Sequence, residues 1–148
     1  MGQPFSWRRQ VEFCETDAAG IVHFSSLIIY MEQAEHALLR SVGLSVAPTA
    51  TSSRATQPDL KVSWPRVRVE CDFLKPARFE DVLLIQIGIA AMGGKSITYQ
   101  SRITRDSDTI AVGKIVSVCS RHSDEGLRGV EIPDSIRKLL SPFSLLEG

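Results

Sequence analysis

One long segment near the start of the chain is apolar on most of its surface. It leaves a narrow polar strip, which consists of Glu32, Gln33, Glu35, His36 and Arg40. A helix with this pattern is covered on several sides by the rest of the protein. The pattern predicts a helix from Ser26 to Val42, with Ser25 or Ser26 as its N-cap and Gly43 at its end.

Alternating apolar and polar residues predict strands before and after this helix. A short terminal helix is expected at Pro133 to Leu140, where a proline precedes an apolar pattern. The order indicates an α+β fold in which an antiparallel sheet of about five or six strands wraps round one long central helix. The predicted strands are Phe5 to Phe13, Leu60 to Trp64, Val67 to Leu74, Asp81 to Met92, Lys95 to Arg105 and Thr109 to Arg121.

Two connections carry distinct signals. Gly93-Gly94 joins two predicted strands, and we expect a type I′ turn in which both glycines have positive φ. The segment from Ser45 to Asp59 has no period, and a loop of that length in a compact domain is often a lid or a pocket wall.

The length and charge of the chain limit the number of domains and the classes of partner. A chain of 148 residues is expected to form a single domain over residues 1–148. The 17 basic residues balance 17 acidic ones, which argues against a nucleic-acid partner. No segment is apolar enough to predict a membrane span. Three cysteines without CxxC spacing favour reduced thiols and a cytoplasmic location.

Asp17 is the first candidate for chemistry. It lies on a turn directly before the apolar helix, close to the free backbone N–H groups and positive end of the helix dipole. The N–H groups of Phe24 and its neighbours can stabilise the negative oxygen that forms when a carbonyl or thioester is attacked. Asp17 and Gly20 are also ordinary turn residues, so each can be present only because it stabilises the backbone conformation of the turn.

Other polar residues near this turn have two interpretations each. Glu15 can pair with Asp17 or remain an exposed turn residue, and His23 can act as an acid or hold the turn. Glu32 and Glu35 lie on a largely buried helix, where a carboxylate must be paired or face a pocket. They can equally mark a solvated or subunit-facing strip.

The run from Phe13 to Phe24, FCETDAAGIVHF, resembles the signature of the hotdog-fold acyl-CoA thioesterases of the 4-hydroxybenzoyl-CoA thioesterase type. The likeness continues through the helix, DFLKPARFEDVL at Asp72 to Leu83, GKS at Gly94 to Ser96 and LRGVEIP at Leu127 to Pro133. It covers nearly the whole chain except the loop from Ser45 to Asp59.

The resemblance implies a hotdog fold and a set of roles for individual residues. Asp17 matches the family's catalytic carboxylate, which acts as nucleophile or general base. Phe24 matches the residue whose backbone N–H polarises the thioester carbonyl. Lys95, Ser96 and Arg128 match positions that bind the coenzyme A nucleotide and its phosphates. The family assembles as homodimers and usually homotetramers, with its sites at the dimer interface. Gly20, His23, Glu15, Tyr30 and Glu32 complete the expected site.

The leading hypothesis is therefore an acyl-CoA thioesterase that needs no metal or other cofactor. A hotdog hydratase or dehydratase with Asp17 and His23 as an acid/base pair is one alternative. A thioesterase with its catalytic carboxylate at Glu32 or Glu35 is another. A non-catalytic acyl-CoA binding protein remains the alternative from a different class, because fold alone does not fix function.

Overall fold

A computed structural model describes residues 2–46 and 60–146. Short 3₁₀ turns at Phe13–Glu15 and Ser141–Phe143 accompany the regular elements. In chain order, those elements are β1 (Phe5–Gln10), α1 (Phe24–Ser41), β2 (Arg66–Phe73), β3 (Val82–Met92), β4 (Ser96–Arg105), β5 (Asp108–Val118), β6 (Ser120–Ser123), β7 (Gly126–Gly129) and α2 (Asp134–Leu140).

Five strands form one antiparallel sheet in the order β1-β3-β4-β5-β2, and β6 pairs with β7 in a separate hairpin. Helix α1 packs against this sheet through β1, β3 and β5. Its fully buried residues include Tyr30, Met31 and Leu38, which belong to the same core as Ile85 and Ile103 of the sheet. The predicted α+β hotdog arrangement, a sheet round a central helix, is confirmed.

Helix α1 begins earlier than the sequence predicted. It spans 18 residues from Phe24, and its N-cap is His23, whose Nδ1 accepts the backbone N–H of Ser25 at 3.2 Å. The predicted serine N-cap is therefore wrong, because the imidazole nitrogen caps the helix instead. The predicted stop is confirmed, since Gly43 follows the helix with φ of +80°.

Three predicted strands differ from the observed elements. The first, predicted at Phe5 to Phe13, ends at Gln10, and Phe13 begins a 3₁₀ turn. The segment from Thr109 to Arg121 is divided at Cys119, where the chain leaves the main sheet and β6 begins. The segment from Leu60 to Trp64 forms only an isolated bridge between Ser63 and Ser120.

The turn at Gly93-Gly94 joins β3 and β4 as predicted, but the expected positive φ values are wrong. A close approach explains the glycine at position 94 instead. A Cβ on Gly94 would lie 2.9 Å from a carboxylate oxygen of Glu131. The guanidinium of Arg137 on α2 holds the same turn, donating to the carbonyl oxygens of Gly93 at 2.8 Å and Gly94 at 3.0 Å.

Two further sequence expectations concern membrane-spanning segments and the long loop after α1. Within residues 2–46 and 60–146, no helix is both long and apolar enough to cross a membrane. Most of the predicted pocket-wall loop, residues 47–59, lies outside the described residues.

Candidate active site

The turn that carries Asp17 is closed by its own backbone. The N–H of Asp17 donates to the carbonyl of Ile21 at 2.8 Å, and Thr16 bridges Val22 across the turn. Gly20 has φ of +77°, a left-handed conformation that L side chains rarely adopt. These contacts fix the position of the Asp17 side chain relative to the start of α1.

One oxygen of the Asp17 carboxylate is held by the turn. Oδ1 accepts the N–H of Ala19 at 2.8 Å and lies 3.5 Å from the N–H donor of Ile21. Among the described residues, no hydrogen bond reaches Oδ2. The arrangement leaves Oδ2 for a water molecule or a substrate.

The start of α1 has one backbone donor without an acceptor in the described structure. The N–H of Ser25 is bonded to the side chain of His23, and that of Ser26 to the His23 carbonyl at 2.9 Å. The N–H of Phe24 has no acceptor among the described residues. A free N–H at a helix N-terminus is suited to bind an oxyanion.

Asp17 and Phe24 line a single cavity of about 400 Å³. The ring of Phe24 stacks near His23, with centroids 4.6 Å apart, and meets Phe73 of β2 edge to face at 6.1 Å. The wall is mainly apolar and comes from the turn, α1 and the segment after β2. Its remaining residues are Ile21, Val22, Leu27, Leu74, Lys75, Pro76 and Ala77.

Glu15 faces a different group of residues from Asp17. Its carboxylate pairs with the guanidinium of Arg9 and accepts the N–H of Glu12 at 2.7 Å. Burial opposes the charge, but the hydrogen bonds from Arg9 and Glu12 outweigh it and lower the pKa of Glu15. Glu15 therefore stabilises the chain segment that precedes the turn.

Tyr30 belongs to the same group beneath the turn. It is fully buried, and the guanidinium carbon of Arg9 lies 4.6 Å from its ring centroid. Burial raises the pKa of the Tyr30 hydroxyl. The sequence analysis includes Tyr30 in the expected site, but its side chain packs into the core and does not line the cavity of Asp17.

Glu32 lines a second cavity, also of about 400 Å³. His36 and Arg66 share its wall, and Arg66 Nε lies 3.7 Å from Glu32 Oε2. Burial and the charge of Arg66 lower the pKa of His36, although Glu32 opposes that effect. The other lining residues are Val46, Ser63, Trp64, Pro65 and Leu127.

The sequence did not identify the ion pair between Glu35 and Arg66, which lies behind this second cavity. Glu35 is fully buried, and Arg66 also donates to the carbonyl of Trp64 at 2.7 Å and to Ser117 Oγ at 3.2 Å. Burial raises the pKa of Glu35 to about 7, although Arg66 opposes the rise. The sequence indicated that Glu35 needed a partner, but no local pattern linked it to Arg66.

The expected coenzyme A residues lie at the connection of β3 to β4 and on the hairpin of β6 and β7. Lys95 is in the turn between β3 and β4, and Ser96 begins β4. Arg128 lies on β7 and is exposed. The backbone links the β3–β4 connection to the residue before β6, since the N–H of Cys119 donates to the carbonyl of Lys95 at 2.6 Å. In the described part of the chain, no group of three or more His, Cys, Asp or Glu side chains is placed to hold a metal.

Comparison with known proteins gives consistent matches. Residues 19–112 match the family model described as the thioesterase superfamily. A 1,4-dihydroxy-2-naphthoyl-CoA hydrolase of Synechococcus sp. (strain CC9605) is 29% identical over 93% of this chain and 89% of its own length.

Solved structures resemble the whole arrangement. A gentisyl-coenzyme A thioesterase has 26% identity and a TM-score of 0.73, covering 92% of this chain and 98% of its own. A 4-hydroxybenzoyl-CoA thioesterase has 20% identity and a TM-score of 0.81, with coverage of 94% and 99%. That second structure contains an aspartate-to-asparagine substitution and bound 4-hydroxybenzoyl-CoA.

Proposed function

This chain belongs to the thioesterase superfamily and is a thioester hydrolase; we propose that it cleaves acyl-coenzyme A through Asp17. The observation that carries the proposal is the common cavity of Asp17 and Phe24. In the described structure, one oxygen of the Asp17 carboxylate has no hydrogen bond and the backbone N–H of Phe24 has no acceptor. Acyl transfer needs this combination of a nucleophile or base with an oxyanion donor.

In the general-base route, one proton of a water molecule passes to Asp17 Oδ2 while the water oxygen bonds to the thioester carbon. The carbonyl oxygen becomes negative and accepts the N–H of Phe24. The carbon–oxygen double bond then re-forms, the carbon–sulfur bond breaks, and the thiolate takes up the proton from Asp17. Free acid and coenzyme A leave.

In the nucleophilic route, Asp17 Oδ2 itself attacks the thioester carbon and expels the thiolate, which gives an acyl-aspartyl anhydride. Water then hydrolyses the anhydride to the free acid and the carboxylate of Asp17, and the proton released in this step is taken up by the thiolate to give coenzyme A. Mass spectrometry of protein quenched with acid during turnover distinguishes the routes, because only this one acylates the protein.

The positions of the other carboxylates support Asp17 as the reacting group. Glu35 is buried and paired with Arg66, and Glu32 faces a separate cavity. His23 uses Nδ1 to cap α1, which disfavours the hydratase alternative that needs this ring as an acid/base partner of Asp17.

An aromatic acyl group is the substrate class we propose. The cavity wall includes the rings of Phe24 and Phe73. The compared proteins act on dihydroxynaphthoyl, gentisyl and 4-hydroxybenzoyl thioesters, as their names state. A panel of aromatic, short-chain and branched acyl-CoA substrates tests this choice.

A homodimer that pairs further into a homotetramer is the assembly we propose, in the cytoplasm. Strand β2 lies at one edge of the sheet, and its Val67, Val69 and Phe73 are exposed. An unpaired edge with exposed apolar residues is suited to pair with another strand, here β2 of a second copy.

The three free cysteines, Cys14, Cys71 and Cys119, are consistent with a reducing compartment.

The deciding experiment is thiol release from acyl-CoA by the Asp17→Asn variant. We expect kcat to fall about 10³-fold with coenzyme A affinity retained, because the substitution removes the reacting oxygen and little else. Asp106→Asn, a change at an exposed turn, is the matched control. Unchanged turnover in Asp17→Asn would exclude the proposed mechanism. Coenzyme A binding without thiol release by the wild type would instead identify a non-catalytic binding protein.

A further inference from the structure

One backbone carbonyl joins the chain just before Asp17 to the chain just before Phe24. The carbonyl oxygen of Glu15 accepts the N–H of His23 at 2.9 Å. The same oxygen accepts the hydroxyl of Ser26, in the first turn of α1, at 3.2 Å. Asp17 follows Glu15 by two residues, and Phe24 follows His23 directly. The place of the Glu15 backbone therefore sets how far the proposed reacting carboxylate lies from the proposed oxyanion donor.

Arg9 of β1 holds the Glu15 side chain and α1 at the same time. Its Nη2 donates to Glu15 Oε2, and its Nη1 donates to Gln33 Oε1 at 2.7 Å. The guanidinium carbon also lies 4.6 Å from the ring centroid of Tyr30 on α1, which is within the range of a cation–π contact. One guanidinium thus joins a strand, the segment before Asp17 and the central helix.

This contact is made within the protein and away from the cavity. The side chains of Arg9 and Glu15 are 20% and 14% exposed, and Glu15 Oε1 accepts the N–H of Glu12 at 2.7 Å. A guanidinium presents its N–H donors in a rigid fork, so it fixes direction as well as distance. Neither Arg9 nor Glu15 lines the cavity that Asp17 and Phe24 share. An effect of Arg9 on the reaction must therefore pass through Glu15.

We propose that Arg9 is a positioning residue for hydrolysis, which through Glu15 sets the distance between the Asp17 carboxylate and the N–H of Phe24. The inference rests on the proposed function, because it needs both groups to act in the reaction. Without Arg9, the Glu15 side chain loses its link to α1, and its backbone carbonyl must hold the segment against the helix by itself. A misplacement of about 1 Å between reacting groups lowers a rate by about 10²-fold.

Arg9→Met tests this role, because it keeps an unbranched side chain and removes the guanidinium. We expect kcat for an acyl-CoA thioester to fall about 10- to 10²-fold with KM retained, since no residue of the cavity wall is changed. Arg9→Lys, which restores a positive charge beside Glu15, should recover part of the rate. Amide hydrogen exchange at His23 should be faster in Arg9→Met, and this measurement needs no turnover.

The decisive measurement combines Arg9→Met with Phe24→Pro, which removes the backbone N–H at the first position of α1. If Arg9 aligns that donor with Asp17, its loss should lower kcat about tenfold less in the Arg9→Met background than in the wild type. Arg66→Met is the matched control, since it removes another half-buried guanidinium from an ion pair, and neither Arg66 nor its partner lines the Asp17 cavity. Equal effects of Phe24→Pro in the wild type and Arg9→Met, or the same coupling in Arg66→Met, would overturn the positioning role.

The Asp17→Asn variant separates a failure of this inference from a failure of the proposed function. Loss of turnover in Asp17→Asn, with Phe24→Pro equally costly in the wild type and Arg9→Met, would leave hydrolysis at Asp17 supported and reduce Arg9 to a stabilising residue. Normal turnover in Asp17→Asn would refute the proposed mechanism, and the positioning role would fail with it.

Discussion

The buried carboxylate of Glu35 on α1 is paired with the guanidinium of Arg66, the first residue of edge strand β2. The two residues are 31 positions apart, and their contact joins the central helix to the strand that ends the sheet. Glu35 Oε1 and the hydroxyl of Tyr99 are both buried without a hydrogen-bond partner in the described structure. Arg66 therefore provides the main stabilising interaction for the charged form of Glu35 inside the core.

Removing Arg66 should destabilise the protein more than removing the pair. We expect Arg66→Met to lower the free energy of unfolding by about 3 kcal/mol, because Glu35 is left buried without its cation. The double variant Arg66→Met/Glu35→Leu should recover part of that loss. Urea denaturation of the two variants and the wild type measures both effects, and a double variant less stable than Arg66→Met would contradict the reasoning.

The pH dependence of stability should carry a contribution from Glu35. Its pKa is raised from about 4.5 in the unfolded chain to about 7, so the folded state holds a proton that the unfolded state has already lost. The contribution is full below pH 4.5 and is lost as pH rises through about 7.

Glu35→Gln isolates this contribution. The groups that face Glu35 are Arg66, Glu32 and the Tyr99 hydroxyl, all of which the variant keeps. The stability of the wild type relative to Glu35→Gln should therefore fall between pH 4.5 and 7 and stay constant above that range. A constant difference over the whole range, measured by urea denaturation, would show that Glu35 does not titrate there.

Phe24→Pro should remove the proposed oxyanion donor without disturbing the helix. Phe24 is the first residue of α1, a position where proline is favoured because its missing N–H is not needed by the helix. His23 has φ of −62° and ψ of +141°, which a residue before proline readily adopts. We expect kcat to fall about 10² to 10³-fold.

Phe24→Ala is the control for this variant, because it removes the ring but keeps the N–H. If both substitutions lower kcat equally, the aromatic ring rather than the backbone donor is what matters. Circular dichroism of Phe24→Pro reports whether α1 has formed.

Val69→Lys should prevent dimer formation. Val69 lies in the middle of β2 and is 50% exposed, so a lysine there places a charge in the proposed strand pairing. Val82→Lys is a matched control, since Val82 is also 50% exposed but lies at the start of β3. Light scattering after size-exclusion chromatography should give a monomer for Val69→Lys only. A dimer in both variants would exclude β2 as the interface.

Much of the fold follows from the periodic pattern of the sequence. The apolar residues of α1 and the alternation in β3 and β4 predict the central helix and two sheet strands, because burial on one face determines both patterns. Boundaries depend on single contacts instead. The start of α1 is set by the imidazole of His23, which a preference for serine caps does not identify.

The glycines between β3 and β4 illustrate why turn chemistry was mispredicted. A double glycine favours a type I′ turn. At Gly94, however, the glycine is explained by the close approach of the Glu131 carboxylate, and Glu131 lies 37 positions later in the sequence (131 − 94 = 37). Such a contact depends on the folded chain, and no local rule contains it.

The candidate site was predictable only where its residues are close in sequence. Asp17 and Phe24 lie on one turn, so the pattern brought them together and the structure gives them one cavity. Phe73 and Lys75 of the same cavity, and Arg66 beside Glu35, come from the middle of the chain, well after the turn and α1. Their positions follow from sheet order, which the sequence does not specify.

The restraint on Asp17 Oδ1 also has a consequence for the entropy of the reaction. Because the N–H groups of Ala19 and Ile21 hold this oxygen, the carboxylate loses its rotational freedom when the turn folds, before any substrate arrives. Little further ordering of this side chain is then required to reach the transition state. The activation entropy of hydrolysis should therefore become less favourable in any variant that loosens the turn at Gly20, even if the barrier at one temperature changes little.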